Sequence, residues 1–375
     1  MNYQNNLNSD ELERYQRHIN LREIGLEGQI KLKNSSVIFI GAGGLGSAAI
    51  LYIAAAGIGK IGIVDNDNIE KSNLQRQIIH NNDDIGNQKT DSARKRINQL
   101  NPNCEITTFS ERLSVKNVLN ILNKFDIVCD CSDNFSTRYL VNDASMILNK
   151  PIIFGSVQGF EGQISVFNLN KNSPNLRDLI PNPPKNNEIP SCNEFGVIGV
   201  SPGLIGILQA NEIIKIIIKR GNILDGKILI FNLLNMSMKK LTLKPNFSKQ
   251  IKDLVEYKSD YSDQEFSCSN IEIKKISNIE FKHLHKTKFN QIIILDVREK
   301  DEFNKFSING SISLPLSLIQ QKNCFEFLKN NSKGKSIYTL CQKGKRSEKA
   351  SKILSEENIQ SISIEGGLDE LGEIN

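Results

Sequence analysis

Val37 to Asp67 reads VIFIGAGGLGSAAILYIAAAGIGKIGIVDND. Its first four residues, Val37, Ile38, Phe39 and Ile40, form a β-branched and aromatic run that stops at glycine, which predicts a buried strand. Gly41, Gly43, Gly44 and Gly46 follow, then an alanine-rich segment to Ala56 with high helix propensity. A second apolar run, Ile61 to Val64, ends at Asp65. This is a βαβ unit with its glycines at the first strand-to-helix turn. Glycine there lets backbone N–H groups approach a phosphate at a helix N-terminus. An acid about 20 residues further on can bind a ribose hydroxyl. Nucleotide binding is the first expectation. GAGGLG alone does not separate a dinucleotide oxidoreductase from an enzyme that cleaves a triphosphate.

Downstream, strand and helix patterns keep alternating. Lys89 to Leu100 places Ala93, Ile97 and Leu100 on one helical face and is stopped by Pro102. Ile127 to Cys131 reads as a buried strand followed by the polar turn Ser132-Asp133-Asn134, then a helix over Tyr139 to Leu148 and a strand over Ile152 to Gly155. Such alternation predicts an α/β fold with a mostly parallel sheet covered by helices. Gly162 to Leu169 alternates with period two, Gly203 to Lys219 reads as a helix, and Lys227 to Asn232 and Lys240 to Leu243 read as strands, an antiparallel extension. Residues 170–200 are rich in Pro and Asn, a long loop of the kind that is usually functional or mobile. Residues 244–270 look like a linker. From about 271 three short apolar runs, Ile292 to Val297, Ser336 to Leu340 and Ile359 to Ile364, predict a second, small α/β unit.

Composition narrows the function. The chain has 375 residues, enough for two domains, with 24% charged and 39% hydrophobic residues and a net charge of +5. The lysines are scattered, which argues against nucleic acid as a partner. No apolar run reaches the ~18 residues of a membrane span; Leu204 to Ile218 is interrupted by Gln209, Asn211, Glu212 and Lys215. The N-terminus lacks the composition of a signal or transit peptide. Seven scattered cysteines suggest a reducing compartment rather than a disulfide framework. The bias to Asn, Lys and Ile suggests an AT-rich genome, so a plastid stroma is expected if the gene is an organelle's and the cytoplasm otherwise.

The charged residues refine the ligand. Release of pyrophosphate builds negative charge and requires cations and a metal-holding carboxylate. Arg76, Lys89 and Asp133 all fall at strand ends or helix starts, on the edge of the sheet where ligands bind. They disfavour a nicotinamide oxidoreductase, and with Cys341 they disfavour a non-catalytic scaffold.

RYQRH, GAGGLGS, VDNDNIEKSNLQRQIIH, GNQKTDSA, CDCSDNFSTRYLVND and FEGQISVFN occur in order over residues 10–245. They resemble the adenylating enzymes of the ubiquitin-activating superfamily, and most closely the molybdopterin-synthase adenylyltransferases and their thiamine-pathway relatives. The resemblance implies ATP and magnesium as cofactors. It also implies that AMP is joined to the C-terminal glycine carboxylate of a ubiquitin-like sulfur carrier. Gly44 would sit at the phosphates and Asp65 at the ribose. Ser72, Asn73, Leu74, Gln75 and Arg76 would form a phosphate-binding segment, with Asn73 and Arg76 in contact. Lys89 would bind phosphate, and Asp133 would hold magnesium beside Asn134. Arg14 would reach into a partner subunit's site, implying a homodimer. Relatives carry two CxxC pairs for a structural zinc. This chain has Asn175 to Asp178 where the first belongs and no cysteine after Lys244-Pro245 until Cys268, so no zinc is expected and the fold there should rest on packing. Cys192, in PSCNEFG, matches a loop cysteine that relatives use toward the carrier.

The last unit resembles a rhodanese sulfurtransferase, on LDVREKDEF, INGSISLPL, CQKGKRS and SIEGGLDEL. Cys341 would carry a persulfide in an anion-binding loop that favours thiolate, with Asp296 and Arg298 as scaffold. A cysteine desulfurase is the expected kind of sulfur donor. Cys129 and Cys131, two apart on a strand, are expected to be core, and His18, His80, His283 and His285 structural or surface. The domain boundaries are then 1–245 for adenylation, 246–270 for the linker and 271–375 for the rhodanese unit.

Overall fold

A computed structural model describes residues 7–184, 196–246, 251–261, 273–320, 325, 328, 334–357 and 359–371. The chain divides into two compact units, Met1–Gln264 and Glu265–Asn375.

The first unit is built on β1 (Ser36–Ile40), the run that opens the glycine turn. It pairs in parallel with β2 (Lys60–Val64) on one side and β4 (Ile127–Asp130) on the other. β3 (Glu105–Phe109) extends the sheet beyond β2, and β5 (Ile152–Gln158) extends it beyond β4, both in parallel. β6 (Glu161–Phe167), β7 (Lys227–Asn232) and β8 (Ser237–Thr242) then add antiparallel, giving the order β3-β2-β1-β4-β5-β6-β7-β8. Val37, Ile38 and Phe39 are fully buried, because a central parallel strand is covered on both faces. Burial of each such side chain contributes about 1.5–3 kcal/mol.

Two long helices sit against each other over this sheet. Gly44–Ala56 follows the glycine turn, and Val200–Ile218 crosses it. They approach at Gly206, where a Cβ would lie 2.3 Å from the Leu45 carbonyl oxygen, so no side chain fits. Val200–Ile218 is long and apolar enough to cross a membrane by length and composition alone. Its buried residues include Gln209 and Glu212, which are bonded inside the fold.

Around Asn175–Asp178 the packing is carried by buried charge. Arg177 is buried and grips Asp143 with Nε–Oδ1 and Nη2–Oδ2 distances of 3.0 and 2.6 Å. Its Nη2 also lies 2.9 Å from Asp260 Oδ2. Its guanidinium covers the rings of Tyr139 and Tyr257, and the Tyr261 hydroxyl donates to Asp143 at 2.7 Å. A buried guanidinium–carboxylate cluster joins these segments. Within the span expected to be a linker, residues 251–261 are therefore part of the first unit's packing, and Ile251 and Leu254 are buried.

The second unit has a five-stranded parallel sheet, ordered β11-β10-β12-β13-β9. Its strands are β9 (Lys275–Ile276), β10 (Ile292–Asp296), β11 (Ser311–Ser313), β12 (Ser336–Leu340) and β13 (Ser361–Ile364). Helices lie on it, and Phe281, Leu295, Leu340 and Leu354 are among its fully buried side chains.

Candidate active sites

In the first unit the chain reverses its winding between β1 and β4, and a crevice opens at the carboxyl ends of those strands. A cavity of about 430 Å³ occupies it. Gly41 has φ +104°, and a Cβ there would meet the Cys131 carbonyl oxygen at 2.9 Å, so the turn out of β1 requires glycine. Gly43 caps the helix Gly44–Ala56 without a side-chain hydrogen bond, which leaves the first N–H groups of that helix for an anion.

Of the expected ligand residues, Gly44, Asp65, Gln75, Arg76, Lys89, Asp133 and Asn134 line this cavity together. Asp65 is half-buried. Its carboxylate accepts from the Ala42 N–H at 2.8 Å and the Asp67 N–H at 2.9 Å. Burial pushes its pKa up, while the Lys89 charge and these two N–H bonds oppose the rise. Lys89 has a buried side chain whose Nζ donates to Asp67 Oδ2 at 2.7 Å. Arg76 bonds the Ser72 carbonyl oxygen at 3.1 Å and has no acidic partner among the described residues. Asp133 is exposed, with the Asn134 amide 3.4 Å away. Asn134 also caps the next helix by accepting from the Thr137 N–H.

Ser72, Asn73 and Leu74 do not line the cavity. The Ser72 hydroxyl donates to Glu70, and the Asn73 side chain accepts from the Glu70 N–H at 3.1 Å, so both brace the segment that presents Arg76. Arg14 lies elsewhere on the unit, donating to the Leu100 carbonyl oxygen at 3.1 Å. Cys192 is outside the described residues. Cys129 is core as expected. Cys131 is core too, in the same cluster, with its Sγ 3.7 Å from that of Cys129, and it also borders the cavity.

Sequence reasoning missed several charged or polar wall residues, among them Asp67, Gln77, Glu111 and Arg112. Asp67 orients Lys89, and it stands in the quoted VDND run. Gln77 lines the wall beside Gly43, one residue past Arg76. Glu111 and Arg112 come from the end of β3, a strand that was not expected.

In the second unit Cys341 follows β12 and opens a loop that closes on the helix Lys345–Glu356. The thiol is buried, and the Ser347 N–H points at its Sγ from 3.3 Å. The Ser347 hydroxyl, 3.6 Å from the same sulfur, is bonded to the Gly344 carbonyl oxygen. Asp296 and Arg298 form a buried bidentate pair, and Arg298 reaches Gln342 of the loop at 3.3 Å. Arg346 is held by both oxygens of Glu302, at 2.6 and 2.8 Å.

Residues 15–252 match the ThiF family and residues 279–373 the rhodanese-like domain. A "Probable molybdopterin-synthase adenylyltransferase" of Pyropia yezoensis is 40% identical over 361 residues, spanning 96% of this chain and 93% of its own. An "Adenylyltransferase and sulfurtransferase MOCS3" of Drosophila virilis is 36% identical over 381 residues, 96% of this chain and 83% of its own. Among solved structures, Escherichia coli MccB crystallised with ATP superposes with a TM-score of 0.55 at 22% identity, covering 65% of this chain and 75% of its own. PaaA gives 0.56 at 22%, covering 64% and 76%. Those two likenesses establish the fold. The match over most of the chain establishes the rest: this chain belongs to the ThiF family, with a rhodanese-like domain behind it, and is an adenylyltransferase joined to a sulfurtransferase.

Proposed function

We propose that the first unit adenylates the C-terminal glycine carboxylate of a ubiquitin-like sulfur carrier, and that Cys341 supplies the sulfur that converts it to a thiocarboxylate. The observation that carries this reading is the convergence of Arg76, Lys89, Asp133 and an uncapped helix N-terminus on one cavity, in a chain that also presents Cys341 to a backbone N–H. A hydride-transfer site has no use for that cation set.

The chemistry follows from the charges. A carboxylate oxygen of the carrier attacks the α-phosphorus of ATP, and the bond to the β-phosphate oxygen breaks. Arg76 and Lys89 take up charge on the departing pyrophosphate. Asp65 fits a ribose hydroxyl, since each of its oxygens retains a lone pair beyond its N–H bond. One exposed carboxylate, Asp133, suits magnesium, which takes few protein ligands and fills its shell with phosphate oxygens and water. Bound there, it would neutralise phosphate charge. The acyl-adenylate is then open to attack by the terminal sulfur of a Cys341 persulfide, with AMP leaving. A thiolate, from Cys192 or an external thiol, attacks the Cys341 sulfur of the resulting acyl disulfide. The thiocarboxylate leaves and a disulfide remains for a second thiol to reduce.

The reading extends to partners. The molybdopterin-synthase small subunit is the favoured carrier, with thiamine-pathway and tRNA-thiolation carriers as alternatives. A cysteine desulfurase would load Cys341. Arg14, away from the cavity of its own chain, would serve the cavity of a second copy in a homodimer. A soluble reducing compartment, the plastid stroma for an organelle gene, fits the cysteine pattern. Incubation with ATP, magnesium and each candidate carrier, read by intact-protein mass spectrometry, tests the proposal. The cognate carrier gains the mass of AMP; absence of adenylate with every carrier, together with NAD binding, would overturn it.

A further inference from the structure

His80 was expected to be structural or surface, and it does not line the cavity, yet its two ring nitrogens connect the parts that do. It is buried. Nε2 lies 3.1 Å from the Ala42 carbonyl oxygen. That oxygen can only accept, so Nε2 carries the hydrogen. Ala42 stands between Gly41 and Gly43 in the turn, and its N–H is already held by Asp65 at 2.8 Å. The two peptide groups that flank the Ala42 Cα are thus gripped, one by its N–H and the next by its carbonyl, and their orientation sets where the following N–H groups point. On the other side of the ring, Nδ1 lies 2.9 Å from the Ser92 hydroxyl, which is 2.9 Å from Asp84 Oδ2. Ser92 lies one helical turn past Lys89 in the helix Lys89–Leu100. His80 itself closes the segment that carries Arg76 and Gln77, its N–H bonded to the Gln77 carbonyl oxygen.

We infer that His80 is a positioning residue of the nucleotide site, fixing the glycine turn and the Lys89 helix at one spacing so that the N–H cradle and the Lys89 ammonium meet the same phosphate chain. The inference rests on the reading of the cavity as an ATP site. The charged groups around the ring are Asp65 and Asp67 on the turn side, and Asp84, Lys89 and Lys95 on the helix side. Burial lowers the pKa of His80, as does Lys89, while the hydrogen bond to the Ala42 carbonyl and the Asp84 charge oppose this. The Asp84 carboxylate can only accept, so the Ser92 hydroxyl donates to it, beside Lys95 and the Asn81 N–H, and turns its oxygen to Nδ1.

Full-length His80→Phe and His80→Gln, with magnesium present, test this through ATP–pyrophosphate exchange. The phenylalanine removes both hydrogen bonds; the glutamine amide retains a donor for the Ala42 carbonyl. We expect His80→Phe to raise KM for ATP about 10- to 100-fold, the cost of a small misplacement, and His80→Gln to recover most of that loss. Thiosulfate sulfurtransferase activity at Cys341 should be unchanged in both. An unaltered KM for ATP with reduced kcat, or a glutamine variant no better than phenylalanine, would overturn the inference. Should His80→Phe fail to fold, imidazole ¹⁵N NMR of the wild-type chain decides. A ring that carries a hydrogen on Nε2 and shifts on addition of a non-hydrolysable ATP analogue supports it; a ring whose only hydrogen is on Nδ1, or one that does not respond to the analogue, refutes it. Wild-type protein that does not bind ATP at all would instead overturn the nucleotide reading.

Discussion

The glycine turn after β1 and the Cys341 loop after β12 use the same local device. Each is a parallel strand that ends in a turn and enters a helix whose N-terminus has no side-chain cap. Such a turn aims backbone N–H groups at an anion in either place. The difference lies in what surrounds it. The first turn opens on a cavity of about 430 Å³ whose walls come from several strand ends and carry Asp65, Arg76, Lys89 and Asp133. The second closes on one buried sulfur, and the cation beside it, Arg346, is tied to Glu302. One arrangement suits a polyphosphate with charge spread over many ångströms, the other a single sulfur anion. On the proposed reading, the turn provides for an anion and the neighbouring strand ends for which one.

Exchanging the losses breaks this comparison most strongly. Cys341→Ala should reduce sulfur transfer to background while leaving ATP–pyrophosphate exchange intact. Asp133→Ala should do the reverse, lowering exchange by about 10²–10³-fold and sparing thiosulfate sulfurtransferase activity. The two assays on the two purified variants check it. If either variant loses both activities, the two anion sites are not separable and the comparison fails.

A smaller effect tests how the cations are held. Lys89 is almost fully buried, and Asp67 is its carboxylate partner. Asp67→Asn leaves the ammonium with a neutral partner in a poorly solvated position. A charge-assisted hydrogen bond of this kind contributes about 1.5–3 kcal/mol. KM for ATP should therefore rise by about tenfold, with kcat for sulfur transfer from thiosulfate unchanged. Steady-state kinetics in ATP measures the rise. An affinity gain would mean that Asp67 competes with the phosphates for Lys89 rather than presenting it.

Much of this was legible in the chain. The βαβ unit, the parallel strands and the carboxyl-edge positions of Arg76, Lys89 and Asp133 all follow from periodicity and from glycine. What was not legible has a common cause. β3 reads EITTF, with a charged first residue and two threonines, and it is an edge strand, so it lacks the apolar run of β1. Missing it hid Glu111 and Arg112, which its end delivers to the cavity. β9 and β11 are two and three residues long, too short for any pattern. Ser72 and Asn73 share a motif with Arg76, but only geometry shows that they hold the backbone and Arg76 faces the cavity. Likewise the sequence around Arg177 showed that cysteines were missing there, while the partners Asp143 and Asp260 lie far away along the chain.

The weakest expected effect sharpens the second half of the comparison. The hydrogen bonds from Arg346, more than its charge, hold the Glu302 pKa at about 2, below the ordinary value of 4.5. A carboxylate with a depressed folded-state pKa stabilises the fold at pH values above its unfolded pKa, and that contribution is lost as pH falls toward the folded value. The window here runs from about pH 4.5 down to about pH 2. Both side chains are more than a third exposed, so solvent screening keeps the contribution below about 1 kcal/mol. Glu302→Gln should therefore melt slightly below the wild type at pH 6. The gap should narrow as pH is lowered through that window, followed by calorimetry of the full chain. The same variant frees Arg346 beside the Cys341 loop. If neutralising Arg346 is what tunes that loop to a lone sulfur anion, Glu302→Gln should lower KM for thiosulfate, a dianion, by a few-fold at neutral pH. An unchanged KM would show that the N–H groups alone set the loop's preference, and that only the first site selects its anion through side-chain charge.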